Sequence, residues 1–102
     1  MFTQLTSGNC MAAIADTEQG VLIGYKELCP HCLNMEKMLV KYSKTHPDIS
    51  LFRLNIEESP DTFKELGGER PPTIFVIKNN SVVAQKAGLM NPKEMKAFYQ
   101  RS

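Results

Sequence analysis

The sequence lacks an excess of either charge, since 12 lysines and arginines are set against 11 aspartates and glutamates for a net charge of +1. A chain so balanced has almost no net field with which to attract nucleic acid or an anionic membrane surface, and neither is expected as a partner. Long apolar runs are also missing: the longest near the N-terminus is Cys10 to Ala15, and no basic residue precedes Lys26. The sequence therefore predicts neither a signal peptide nor a membrane span, and the cytoplasm is the expected location.

Cysteine is scarce and odd in number, with Cys10, Cys29 and Cys32 as the full set. Because only two of them are close together, a framework of structural disulfides is not expected. The close pair is interpreted as a site of cysteine chemistry and not as a structural crosslink. Internal repeats, low-complexity tracts and linkers are absent as well. With 102 residues, 42% of them hydrophobic and 23% charged, the chain has the length and composition of one domain with a single core.

Hydrophobic periodicity and turn residues predict five strands. They are residues 2–5, 21–25, 49–56, 73–77 and 81–84. The unbroken apolar run of residues 21–25 is typical of a strand buried on both faces. Asn79 and Asn80 separate the last two strands and predict a hairpin turn.

Four helices are predicted between and after these strands. The first is capped by Ser7 or Asn9 and runs to about Glu18, with Gly20 as a stop, and the second runs from Pro30 to about Thr45. The third is capped by Ser59 and ends at Gly67-Gly68, and the fourth is capped by Asn91. Glu94, three residues after Asn91, completes the pattern of a capping box. The order βαβαβαββα predicts an α/β domain with a mixed central sheet of about five strands and helices on both faces.

The most informative motif is Cys29-Pro30-His31-Cys32, which stands where a buried strand meets a helix. If Cys29 is the N-cap and Pro30 the first helical residue, the Cys29 sulfur faces the unpaired N–H groups of His31 and Cys32 and the positive end of the helix dipole. This position stabilises a thiolate and lowers the pKa of the Cys29 thiol below the value of about 8.5 for free cysteine. Cys29 is therefore the predicted nucleophile.

Cys32 lies one turn further along and is expected to be the more buried of the two thiols, which suits a resolving role. In the predicted cycle the Cys29 thiolate attacks a partner disulfide, and Cys32 then attacks the mixed disulfide to release the partner. His31 is predicted to tune the couple as a cation beside the thiolate. The alternative is an exposed helical residue with little effect.

Metal and haem chemistry are competing interpretations of the motif. A structural zinc site needs four ligands, and beyond the motif's cysteines only Cys10, His31 and His46 are available. Covalent haem attachment needs a histidine directly after Cys32, where Leu33 stands, and an iron–sulfur cluster needs a fourth thiolate. No metal or cofactor is expected beyond the redox-active disulfide itself. A redox-inert module that binds zinc or a partner stays open as an alternative.

Along nearly its whole length the sequence resembles the thioredoxin family. The matching segments are Leu5-Thr6, Cys29 to Cys32, Arg53 to Pro60, Pro72-Thr73 and Gly88. The resemblance implies the thioredoxin fold, exchange of disulfides with protein substrates, and a cis peptide bond before Pro72. It also implies a thioredoxin-reductase-like or other thiol electron donor, and the chain is expected to be a monomer. The substrate groove is expected to involve Leu28, Arg70, Pro71, Pro72 and Gly88.

Departures from the family pattern predict how this chain differs. Leu28 stands where thioredoxins usually have tryptophan, and the inner Pro-His dipeptide resembles that of bacterial periplasmic oxidants, which implies a more oxidising couple. The family's buried aspartate, six residues before the first cysteine, is Ile23 here. Its lysine partner is Arg53, which cannot give up a proton. The resemblance thus predicts slow resolution of mixed disulfides by Cys32.

Three other residues carry expectations. Pro71 has no N–H to offer a bound substrate strand, so one hydrogen bond of about 1 kcal/mol is lost. Lys37 replaces the proline that commonly kinks the family's second helix, and a straighter helix is expected. Cys10 is interpreted as a packing residue.

The expected activity is that of a disulfide reductase, with a dithiol oxidase or isomerase of folding proteins as the alternative.

Overall fold

All the predicted strands and helices are present, in the predicted order, in a computed structural model of residues 1–102. The strands are β1 (Phe2–Leu5), β2 (Gln19–Tyr25), β3 (Ser50–Asn55), β4 (Thr73–Lys78) and β5 (Ser81–Ala87), and the helices are α1 (Cys10–Ala15), α2 (Pro30–Lys44), α3 (Pro60–Glu65) and α4 (Pro92–Arg101). The strands form one sheet in the order β1-β3-β2-β4-β5. β1, β3 and β2 run parallel, whereas β4 is antiparallel to β2 and β5 to β4. The mixed five-stranded sheet confirms the predicted fold class.

The sheet separates two hydrophobic layers, because successive residues of a strand point to opposite faces. On β2, Val21, Ile23 and Tyr25 pack in the layer beneath α2 and α4, whereas Leu22 packs in the layer beneath α1 and α3. Burial on both sides explains why the sequence of β2 shows an apolar run instead of an alternation. The layer beneath α2 and α4 also contains both cysteines of the motif.

The second helix is the longest, with 15 residues and no break from Pro30 to Lys44. Its buried residues, Met35, Met38, Leu39 and Tyr42, repeat at the helical period and form the face that lies on the sheet. Neither this helix nor any other is both long enough and apolar enough to cross a membrane.

The first helix is shorter than predicted, and the prediction that Gly20 stops it is wrong. α1 ends at Ala15, and the Thr17 hydroxyl donates to the Ala13 carbonyl at 2.7 Å as the chain turns into β2. Gly20 lies inside β2, where a Cβ would come within 2.9 Å of the Thr17 side chain and 3.2 Å of the Ser50 carbonyl oxygen. Close packing between strand and loop therefore explains the glycine.

The helix caps follow the predictions in part. Asn91 and Glu94 form the predicted capping box of α4: the Asn91 side chain accepts from the Glu94 N–H at 2.8 Å, and the Asn91 N–H donates to Glu94 Oε1 at 3.0 Å. Ser59 and Asn9 occupy the N-cap positions of α3 and α1, but neither side chain makes a capping hydrogen bond. The Asn9 side chain accepts instead from the Thr6 N–H, which precedes the helix.

The hairpin between β4 and β5 turns at the predicted residues. Asn79 and Asn80 have left-handed φ angles of 53° and 69°, as a tight turn between two twisted strands requires. β5 extends to Ala87, beyond the predicted end at Ala84, and its register shifts opposite Val76 and Ile77. The extra length brings the chain back to the end of the sheet at which β4 begins, where Ala87 pairs with Thr73.

Candidate active site

The turn between β2 and α2 holds Cys29 at the N-cap position of the helix. Cys29 has an extended backbone (φ −117°, ψ 100°), Pro30 is the first helical residue, and Cys29 Sγ accepts a hydrogen bond from the Cys32 N–H at 3.2 Å. Of the two predicted N–H donors, that of Cys32 bonds the sulfur and that of His31 does not. A sulfur in this place faces the positive end of the α2 dipole, which favours a thiolate in the reduced protein.

Cys29 and Cys32 are joined in a disulfide, with their Cα atoms 5.2 Å apart. Cys29 has 9% of its surface exposed and Cys32 has 1%. A partner sulfur can therefore reach the first cysteine but not the second, because attack in thiol–disulfide exchange requires access to the sulfur. His31, between them, is exposed.

The proline pair lies at the same end of the sheet as the cysteines. Pro72 directly precedes β4 and Gly88 directly follows β5, both beside the end of β2 that leads to Cys29. The Pro71–Pro72 peptide bond is cis. The Gly88 N–H donates to the Pro72 carbonyl at 2.9 Å, and Gly88 has a left-handed φ of 97°. The two loops are thus fastened to each other.

Three large apolar side chains are exposed around this end of the sheet. Leu28 is 99% exposed with a left-handed φ of 55°, and Leu33 and Leu89 are also exposed. Arg70 is exposed as well, and its Nη2 is the atom nearest to a Cβ built on Gly88, at 3.7 Å. The residues predicted to line a substrate groove therefore lie at one end of the molecule.

The remaining candidate metal ligands are not brought to the motif. Cys10 is buried in the layer beneath α1 and α3, on the opposite side of the sheet from Cys29 and Cys32, and burial raises the pKa of its thiol. His46 stacks on Tyr42 at the far end of α2, with ring centroids 4.0 Å apart. No group of three or more histidine, cysteine, aspartate or glutamate side chains is arranged to hold a metal ion.

The family model named Thioredoxin matches residues 1–101. The chain belongs to the thioredoxin family. It is 29% identical to the disulfide bond formation protein of Brevibacillus choshinensis over 99% of this chain and 86% of that protein. It is likewise 29% identical to thioredoxin-1 of Saccharomyces cerevisiae over 94% of this chain and 93% of that one. The solution structure of reduced desulfothioredoxin from Desulfovibrio vulgaris Hildenborough matches with a TM-score of 0.82 and 37% identity, covering 90% of this chain and 88% of that one.

Thioredoxin-family proteins are generally thiol–disulfide oxidoreductases, and the Cys29-Cys32 pair fits their motif. In this member an apolar side chain replaces the family's buried carboxylate. Ile23 is fully buried and pairs with Arg53 of β3 and Ile74 of β4. The cysteine layer therefore has no carboxylate at this position.

Arg53, which replaces the family's lysine, is held by two neighbours. Its guanidinium carbon lies 4.1 Å from the centroid of the Tyr25 ring, and its Nη2 lies 3.3 Å from Glu36 Oε2 on α2. Arg53 Nε is buried without a hydrogen-bond partner. Glu36 was not among the predicted site residues, although its position four residues after Cys32 places it on the same side of the helix.

Proposed function

We propose that this protein is a protein-disulfide reductase of the thioredoxin type, with a more oxidising couple than ordinary thioredoxin. The observation that carries the proposal is the position of Cys29 Sγ at the N-terminus of α2, where it accepts the Cys32 N–H with the Cys32 sulfur buried behind it. A helix N-terminus stabilises a thiolate, and the second thiol is shielded until the first has reacted.

The reduced protein would react in two exchange steps. The Cys29 thiolate attacks one sulfur of a partner disulfide, forming a mixed disulfide and releasing the other partner sulfur as a thiolate. Cys32 then loses its proton, attacks Cys29 Sγ and expels the second partner thiolate. The partner gains two electrons, and the protein is left with the Cys29-Cys32 disulfide.

Two electrons are needed to return the oxidised protein to its dithiol. We assign this role to a thioredoxin-reductase-like or other thiol electron donor, because exchange with a second dithiol reverses the same two steps. The two cysteines carry both electrons, so the cycle needs no metal and no other cofactor.

The Pro-His dipeptide supports the more oxidising couple. His31 is exposed and directly follows Pro30 beside the N-cap sulfur. In its cationic form it would stabilise the reduced thiolate, and a stabilisation of about 1.4 kcal/mol raises a two-electron potential by about 30 mV. Equilibration with glutathione redox buffers measures the potential, and a His31→Ser variant should have the lower value by about that amount. Equal reduction potentials in the native protein and the variant would show that His31 does not tune the couple.

A dithiol oxidase is the second candidate, and one comparison favours it. The Brevibacillus relative is a disulfide bond formation protein, and an oxidising couple would suit the same direction here. A reductase reduces protein disulfides faster than it oxidises protein dithiols, and an oxidase does the reverse. The rate at which the oxidised protein oxidises a reduced unfolded protein should therefore be compared with the rate at which the reduced protein reduces a disulfide-bonded one. Faster oxidation than reduction would favour the second candidate.

Trapping with Cys32→Ser tests the proposed chemistry directly. This variant should accumulate mixed disulfides through Cys29, whereas Cys29→Ser should accumulate none and Cys10→Ser should exchange normally, since Cys10 is buried on the other side of the sheet. Native protein should pass through one two-electron transition in the glutathione buffers. A redox-inert module would instead show no such transition, and a zinc module would resist alkylation until a chelator is added.

A further inference from the structure

A groove between α2 and α4 is lined by four lysines. It consists of two adjoining clefts of about 280 and 620 Å³, which share Lys41 and Pro92. We call it the lysine groove and define it by the exposed residues Lys37, Lys41, Lys93 and Lys96. Neither cleft is lined by an aspartate or a glutamate.

No lysine of the lysine groove forms an ion pair within the chain. The one ion pair of the structure joins Arg53 to Glu36, so no lysine of the groove has a carboxylate oxygen within 4.0 Å. Glu94, the acidic residue of α4, is engaged in the capping box with Asn91. The four ammonium groups are therefore free to attract an anionic partner from solvent.

Five of the eleven acidic residues lie close together along the chain around α3. Five exposed carboxylates lie on α3 or in the loops beside it, namely Glu57, Glu58, Asp61, Glu65 and Glu69. α3 packs in the layer opposite the one beneath α2 and α4. The helix that carries or adjoins these carboxylates is therefore on the opposite side of the sheet from the lysine groove.

The lysine groove begins beside the redox centre. Asn34 and Met90 line its near cleft, and the Met90 N–H bonds Met35 Sδ at 3.3 Å, which fastens the loop after β5 to α2. Lys37 lies eight residues beyond Cys29, about 12 Å along the helix axis at 1.5 Å per residue. About four extended residues beyond the partner's own cysteine would span this distance, since an extended chain covers about 3.3 Å per residue.

We propose that the lysine groove selects protein partners whose disulfide is flanked by acidic residues. This inference rests on the proposed function, because the partner reaches the groove while its sulfur is at Cys29. Attraction between the groove and the acidic flank speeds the encounter and places the partner disulfide at the Cys29 sulfur. Such steering raises association rates by about 10 to 1,000-fold at low ionic strength and is weakened by salt.

Disulfide peptides that differ only in their flanks provide the test. One peptide disulfide is prepared with glutamate, serine or lysine tails of equal length, and kcat/KM for reduction is measured at low and high salt. The glutamate-tailed peptide should be reduced at least about tenfold faster than the lysine-tailed one at low salt, with the serine-tailed peptide between them. High salt should bring the three values together.

Matched variants locate the effect on the groove. Lys41→Gln, which lies at the junction of both clefts, should reduce the preference for the glutamate tail by at least about twofold, and Gln at all four groove positions should abolish it. Lys64→Gln removes one lysine from α3 on the opposite face and should leave the preference unchanged. An equal effect of Lys41→Gln and Lys64→Gln, or no preference among the peptides, would overturn the proposal.

A small neutral disulfide separates this proposal from the proposed function. It has no flank to contact the groove, so its reduction should proceed equally in the native protein and in all the lysine variants. If that reduction occurs and depends on Cys29 but the tailed peptides do not differ, the redox chemistry stands and the groove proposal fails. If the neutral disulfide is not reduced at all, the proposed function itself fails.

Discussion

Restoring a carboxylate at position 23 should accelerate the resolving step. Ile23 is fully buried in the same layer as the two cysteines, at the position where the thioredoxin family has an aspartate. In the present chain the proton of Cys32 must leave to water or to another group. A positioned base contributes about 100 to 10,000-fold to a proton transfer. We expect Ile23→Asp to raise the resolution rate at least about tenfold, which corresponds to about 1.4 kcal/mol of barrier.

The same substitution has a cost in stability that can be set out from the structure. Ile23 has no exposed surface and packs between Arg53 of β3 and Ile74 of β4. Truncation of a buried isoleucine costs about 2–5 kcal/mol, and an unpartnered buried polar group costs about 1–3 kcal/mol more. Because a domain is stable by about 5–15 kcal/mol, the variant should fold with a much lower free energy of unfolding.

Ile23→Asn is the matched control, since asparagine has nearly the shape of aspartate but is no base. A chromogenic aromatic disulfide releases one coloured thiolate when Cys29 attacks it and a second when Cys32 resolves the mixed disulfide. The second phase of absorbance reports resolution, and urea unfolding shows that both variants are folded. If Asp and Asn give the same second phase in folded protein, a missing base at this position does not limit resolution.

Three more outcomes follow from other positions. Pro71→Ala supplies a backbone N–H beside the site and should raise kcat/KM for disulfide peptides about fivefold, with no change for a small neutral disulfide. Equal gains for both substrates would contradict a hydrogen bond to a bound peptide strand. Asn91→Ala removes the α4 capping box and should lower the free energy of unfolding by about 0.5–2 kcal/mol in urea, and an unchanged value would show that the cap contributes nothing. Burial raises the pKa of the Cys10 thiol above that of free cysteine, so this thiol stabilises the fold fully below the pKa of free cysteine and less as the pH rises above it. Above about pH 8.5, stability should fall less steeply with pH in Cys10→Ala than in the native protein, and parallel curves would exclude the effect.

Signals that lie within a few residues of one another predicted most of the fold. The Asn91 and Glu94 pair specifies a capping box, and Asn79-Asn80 specifies a tight hairpin, because each depends on local backbone geometry. The role of Gly20 was predicted wrongly because it depends on a contact that is not local. Its contacts are with Thr17 and the Ser50 carbonyl, and the second of these lies on a strand that is distant in sequence.

The candidate site shows the same division. The N-cap geometry of Cys29 was predicted because all the atoms that create it lie within one tetrapeptide. The ion pair between Arg53 and Glu36 joins a strand to a helix, and the lysine groove joins α2 to α4. Neither has a signature within one segment, so only the packing of the elements shows which charges become neighbours.

The position of Cys10 also limits which disulfides can form when the protein is oxidised. Three cysteines allow three ways of forming one disulfide, and two of these would use Cys10. The five-stranded sheet stands between Cys10 and the other two sulfurs, so a wrong pairing needs the chain to open first. A native molecule can therefore pass through many rounds of oxidation without scrambling, and a Cys10-containing crosslink would mark a molecule that was oxidised before it finished folding.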